Sequence, residues 1–127
     1  MIMNNSVFGE LVFNTGWKTK TSIHLFGNNY DVIVKAKAYF EKDGVTVEQE
    51  TAYGDFCSNK SERLAAVENL LNSFAKDDAS KQFTPRTLLF QRDGGYAILF
   101  DDKEDIDGGI AVCLAPQAEV VTQDEYL

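Results

Sequence analysis

The chain is short of several residue types, and each shortage removes a class of protein. Its 127 residues include only 2 prolines, 2 cysteines and 1 tryptophan. Few prolines, with charge spread along the chain, argue against long disordered tracts. Cys57 and Cys113 form no zinc-type spacing and suit a reduced compartment. Cys113 sits inside the apolar run IAVCLA and reads as a small buried residue. No apolar run approaches the roughly 20 residues of a membrane span. The opening MIMNNSVFGELVF lacks the basic-then-apolar layout of a signal peptide. These features lead us to expect a cytoplasmic protein that does not engage membranes.

Cations are also scarce. Twelve Lys and Arg face 20 Asp and Glu, a net charge of -8. Nucleic acid and anionic lipid surfaces attract proteins with surplus Lys and Arg, so neither is expected as a partner. The imbalance is uneven along the chain. Residues 1–64 carry seven cations and eight acids, whereas residues 65–127 carry five and twelve.

What is present suffices for one core. Hydrophobic residues make up 44% of the chain, with 9 Phe and 5 Tyr, and the length is that of a single domain, residues 1–127. Phe8 to Asn14 alternates as a short strand. In WKTKTSIHLF, Trp17, Thr19, Thr21, Ile23 and Leu25 share one face. Gly27-Asn28-Asn29 supplies a turn, and residues 30–40 form a third strand with Tyr30, Val32, Val34, Ala36 and Ala38 together. The period then changes. Thr46 and Gln49 have capping-box spacing. Ala52, Tyr53, Phe56 and Cys57 follow at helical spacing, Ser58-Asn59 breaks that helix, and Asn59 or Ser61 caps the next. Leu64, Val67, Leu70, Leu71 and Phe74 form its stripe, and the helix should end near Lys76. Beyond Pro85, strands are expected at 87–91, 96–100 and 110–115. Asp93-Gly94-Gly95 is the hairpin turn between the first two, and the tail EVVTQDEYL could add an edge strand. The order β-β-β-α-α-β-β-β predicts an α+β fold, a mainly antiparallel sheet with two helices packed on one face.

Chemistry-bearing motifs are few. No nucleophile elbow, Walker loop, dinucleotide glycine pattern or HExxH helix occurs. The single histidine, His24, falls on the polar face of a strand between lysines. An enzyme is not expected, and no cofactor is called for. One stretch stands out, FDDKEDIDGG at 100–109, with five acids between two apolar runs. It could hold a metal, gather catalytic carboxylates, dock a basic partner or simply be solvated. An EF-hand frame with Gly108 at position six puts Lys103 at position one and Leu114 at position twelve, so it fails at both ends. Neighbouring acids in a wet loop do not supply the two unlike environments that paired carboxylates need for catalysis. No metal site is assigned. An acidic rim would steer a basic partner, with Tyr96, Phe100 or Tyr126 as possible anchors, although Phe100 suits the core better. A second surface gathers Lys18, Lys20, His24, Lys35 and Lys37 on one hairpin face. It could hold an anion or merely keep a sheet soluble.

The sequence resembles small, acidic bacterial domain families of unassigned function. The likeness rests on FGELVF followed by Trp17, on the helical Tyr53-x-x-Phe56 segment, and on the ending from Leu88 to Leu127. In those families an acidic turn and a glycine lead into an apolar strand, and a Val-Val…Gln-Asp tail closes the domain. The Glu-His-Gly turn common among them is replaced here by Ile106-Asp107-Gly108-Gly109. Such families accompany polymorphic and contact-dependent toxin systems. The resemblance implies an immunity protein that blocks a cognate toxin in the cytoplasm, and the charge leads us to expect that toxin to be a basic nuclease domain. The contact residues expected on that reading are Asp101, Asp102, Glu104, Asp105 and Asp107, then Asp124 and Glu125. The alternative is a small-ligand or metal-binding module. The sequence leaves the oligomeric state open.

Overall fold

The structure is a computed structural model that describes residues 1–75 and 78–127. Eight strands form one sheet whose spatial order follows the chain. They are β1 (Ile2–Asn5), β2 (Gly9–Phe13), β3 (Trp17–Leu25), β4 (Asn28–Ala36), β5 (Phe83–Phe90), β6 (Tyr96–Asp102), β7 (Asp105–Ala115) and β8 (Glu119–Thr122). Every neighbouring pair is antiparallel except β4 and β5. A parallel pair needs a long crossover, and this one carries the helices α1 (Val47–Ser58), α2 (Lys60–Phe74) and α3 (Ala79–Gln82). The fold is therefore α+β. The expected α2 terminus at Lys76 lies outside the described residues; the last described helical residue before it is Phe74, followed by Ala75 as C-cap.

Strand periodicity dictates the two faces. Ile23 and Leu25 of β3, Val32, Val34 and Ala36 of β4, Leu88 and Phe90 of β5, Ile98 and Phe100 of β6, and Ile110 and Val112 of β7 all point to the helices. Tyr53 and Phe56 of α1 and Leu64, Val67 and Leu71 of α2 close the core from above. Aromatic rings fill the space beneath α1, with Phe8 stacked on Tyr53 at 4.6 Å and Phe90 on Tyr96 at 4.9 Å. Truncating a wholly buried Leu here, such as Leu71, costs about 2–5 kcal/mol.

The opposite face is half covered. Ala97, Ala111 and Cys113 are buried there with Leu99, Val121 and Tyr126. Tyr126 belongs to a short C-terminal helix, α4 (Gln123–Tyr126), which turns back over β7 and β8. The half formed by β2, β3 and β4 stays open, with Val12 and Ile33 partly exposed among lysines.

Several local expectations shift. β1 pairs with β2 as an N-terminal hairpin that the sequence reading leaves out. The β3–β4 turn is Phe26-Gly27, both at positive φ, because Leu25 pairs with Asn28. A three-residue loop at Gly27-Asn28-Asn29 would instead pair Phe26 with Tyr30 and put Val32, Val34 and Ala36 on the face opposite Ile23 and Leu25, and core burial forbids that slip. Strand β5 begins at Phe83 and runs through Pro85, where the pairing with β6 breaks register. A bulge tolerates the missing N–H, so the proline does not mark the strand's start. Cys57 is exposed, outside the helical core stripe. The capping box is as expected: Thr46 Oγ1 accepts from Gln49 N at 3.0 Å, and Gln49 Oε1 accepts from Thr46 N at 2.9 Å. Asn59 holds the N-cap position of α2 but makes no capping bond; its amide donates back to Asp55 O.

Candidate functional site

The acidic stretch is not an irregular loop. β6 and β7 continue their ladder to an Asp102–Asp105 pair, leaving Lys103-Glu104 as a two-residue turn. The result is a hairpin arm beyond the apolar part of the sheet, exposed from Lys103 to Gly108. Two supports hold its base. On one side, Gln82 at the end of α3 accepts from Lys103 N through its carbonyl and donates from Nε2 to Asp102 Oδ1 at 3.1 Å. On the other, Gln123 of α4 donates from Nε2 to Phe100 O at 2.8 Å. Gly109 permits this second clamp. Its φ is 133°, and a Cβ there would stand 2.5 Å from Gln123 Nε2 and 2.6 Å from Phe100 O.

The seven acids expected to make contact therefore divide. Asp102 turns inward, is 9% exposed, and accepts from both Gln82 Nε2 and Glu104 N. It fixes the turn and is withdrawn from the contact surface, because both of its bonds tie one oxygen to the arm's own frame. Asp101 is exposed and pairs with Arg86 at 2.6 Å. Both side chains are more than half open to water, so the pair is worth about 0–1 kcal/mol and leaves the charge accessible. Glu104, Asp105 and Asp107 are exposed and, among the described residues, form no ion pair. Asp124 and Glu125 lie on α4, brought to the base of the arm by Gln123. Glu125 also caps its own helix with Thr122.

Ile106 is the residue that charge-based reading passes over. It is 89% exposed at the arm, flanked by Asp105 and Asp107. In the sequence it resembles the start of the following apolar strand, whose buried part begins only at Gly109. The expected aromatic anchors do not serve. Tyr96 and Phe100 are buried, and Tyr126 packs from α4 onto Ala97, Ala111 and Cys113, where burial pushes its hydroxyl up to about 12 despite Gln91 beside it.

Other ionisable groups are occupied in structure. His24 Nδ1 lies 2.8 Å from Asn29 Oδ1 on the exposed face. It borders a groove of about 420 Å³ shared with Lys60 and Glu68. Lys60 donates to Ser22 O and Glu68 accepts from Phe26 N, so both tie α2 to the β3–β4 hairpin. Asp55 and Arg63 pair at 2.7 Å between α1 and α2. Among the described residues, no three His, Cys, Asp or Glu side chains converge to hold a metal ion. The lysine face is present: Lys18 pairs across with Lys35, so both side chains lie on the open half of the sheet.

No family model matches this sequence, and neither a curated protein nor a solved structure is significantly similar to it. The toxin-immunity resemblance therefore rests on the chain's own pattern.

Proposed function

We propose that the protein is a non-enzymatic, cytoplasmic inhibitor that binds and neutralises a cognate toxin domain, a basic nuclease, through its acidic arm. The observation that carries this reading is Ile106. A lone solvated charge run needs no apolar residue standing exposed among its acids, whereas protein interfaces set an apolar anchor inside a polar rim. Glu104, Asp105 and Asp107 supply the rim, and Asp101, Asp124 and Glu125 extend it toward the base of the arm. The two-sided clamp by Gln82 and Gln123 also supports the reading, because a pre-ordered arm loses less entropy on binding. Acidic surplus would speed encounter with a basic surface and would mimic the phosphates that a nuclease grips.

The test is co-expression with the toxin domain encoded beside this gene. The wild-type chain should protect the cell and co-purify with the toxin. A variant with Glu104→Gln, Asp105→Asn, Ile106→Ser and Asp107→Asn should fold normally, because these positions are exposed, yet fail to protect. Full protection by that folded variant would remove the arm from the mechanism.

The alternative of a small-ligand module draws support from a different place, the basic hollow beside Tyr39.

A further inference from the structure

The chain is acidic, yet its cations gather. Lys18, Lys20 and Lys35 project from β3 and β4 on the open half of the sheet, with Lys37 just past β4. None forms an ion pair; among the described residues the ion pairs are Arg63–Asp55 and Arg86–Asp101. With 20 acids in the chain, unpaired clustering is not forced by any shortage of counter-charge. Like charges packed together repel, and Lys35 registers this: burial, then Lys18 and Lys37, lower its affinity for a proton.

Two of these lysines, Lys35 and Lys37, edge a hollow of about 330 Å³, lined also by Thr15, Tyr39, Gln91 and Arg92 among others. The volume falls at the lower end of small-ligand sites. Two of its cations are held in place. Arg92 donates from Nη1 to Lys37 O and Gly44 O, and from Nη2 to Asp43 O. Three main-chain carbonyls thus fix a full positive charge that has no carboxylate partner among the described residues. The stem of Lys35 lies across Gly16, where an added Cβ would sit 2.7 Å from Lys35 Cε. The missing side chain at Gly16 is the cradle for that lysine.

The wall of the hollow is Tyr39, which is 86% exposed. Tyr39 also borders a second hollow of about 530 Å³ with Met1, Phe13 and Phe40. A cationic compartment and one walled by apolar and aromatic side chains, with Glu41 and Lys42 at its rim, therefore share a single ring. Asp93, the one acid at the first hollow, accepts from Gly95 N in the β5–β6 turn. Three cations and one carboxylate leave a surplus of two positive charges, which matches the roughly −1.5 to −2 of a phosphate monoester at neutral pH better than a monocarboxylate. Lysines grip phosphate as point charges and need no planar fork, and the Arg92 fork is already taken by carbonyls.

We propose that this site binds an organic phosphate monoester with a planar body, of the nucleoside monophosphate class. Lys35 and Lys37 take the phosphate, Arg92 adds its fixed positive charge beside them, and Tyr39 with its apolar neighbours takes the ring. The site is separate from the acidic arm, which lies at the other end of β4, β5 and β6, so the two proposals fail independently.

The test uses AMP as the probe, with adenosine and inorganic phosphate as controls, each titrated into the full-length protein while amide resonances are followed. AMP should shift Thr15, Lys35, Tyr39 and Arg92 saturably, and both controls should bind more weakly by about tenfold or more. The double variant Lys35→Gln, Lys37→Gln should melt as the wild type does and lose about tenfold in AMP affinity. Tyr39→Ala should weaken AMP but not phosphate. Absence of saturable shifts, AMP binding untouched in the lysine variant, or phosphate binding as tightly as AMP would each overturn the proposal.

Discussion

The Gln49 carboxamide is fully buried and bonded at both ends. Its oxygen accepts from Thr46 N, and its nitrogen donates to Lys37 O at 3.0 Å and Phe90 O at 3.1 Å. One side chain thereby starts α1 and joins it to the ends of the parallel strands β4 and β5. Gln49→Ala removes the reciprocal half of the capping box, strips Lys37 O and Phe90 O of a buried donor and leaves a cavity, so we expect a loss of about 2–4 kcal/mol in a urea melt with the transition still cooperative. Capping was legible from the Thr46–Gln49 spacing, but the bonds to Lys37 and Phe90 were not, because they depend on tertiary placement. Tyrosines offer a second test. Burial pushes the hydroxyls of Tyr53 and Tyr126 up to about 12, from an ordinary 10.0. The unfolded chain releases these protons first as pH rises. The stability they contribute is thus whole below pH 10 and is lost as pH climbs toward 12. Denaturant midpoints should decline over that window, and Tyr126→Phe should show a shallower decline. An equal slope in the variant would show that Tyr126 ionises freely in the folded state.

At the level of elements, the C-terminal helix α4 is small and structurally costly to lose. It covers Ala97, Ala111 and Cys113 on the face away from α1 and α2, and Gln123 braces the arm. In the intact chain a thiol reagent should label exposed Cys57 quickly and Cys113 slowly, since Cys113 is 5% exposed. Deleting residues 123–127 should make both cysteines react at comparable rates; continued protection of Cys113 would show that some other element covers it. The alternating strands β3 and β4 and the apolar runs of β6 and β7 were readable because one face of each is buried and period two leaves little choice. The acidic segment was misread as a loop because hydrophilic residues in a protruding hairpin face water on both sides. No apolar alternation survives there to announce a strand. Ile106 was hidden for the same reason, and Tyr39 and Phe40 because they continue the apolar character of β4 past its end at Ala36.

Taken as a whole, the molecule separates its charges. The acidic arm extends from the end of the sheet where β6 finishes and β7 begins, and the basic hollow lies where β4 and β5 finish. A net charge of -8 then gives an orienting field as well as solubility. This separation was partly visible in the uneven distribution of acids along the chain, but the joining of Asp124 and Glu125 to the arm needed the fold of α4. Charge on an exposed arm acts through water and is screened within about 8–10 Å at physiological salt. Partner binding should therefore weaken as salt rises, chiefly through the association rate. The most direct measurement is calorimetric titration of the proposed cognate toxin domain with the wild type and with the variant Glu104→Gln, Asp105→Asn, Ile106→Ser, Asp107→Asn, at two salt concentrations. The account predicts that the variant loses about a hundredfold in affinity, or about 3 kcal/mol, and most of the salt dependence. Equal affinity and equal salt dependence in the two proteins would contradict it.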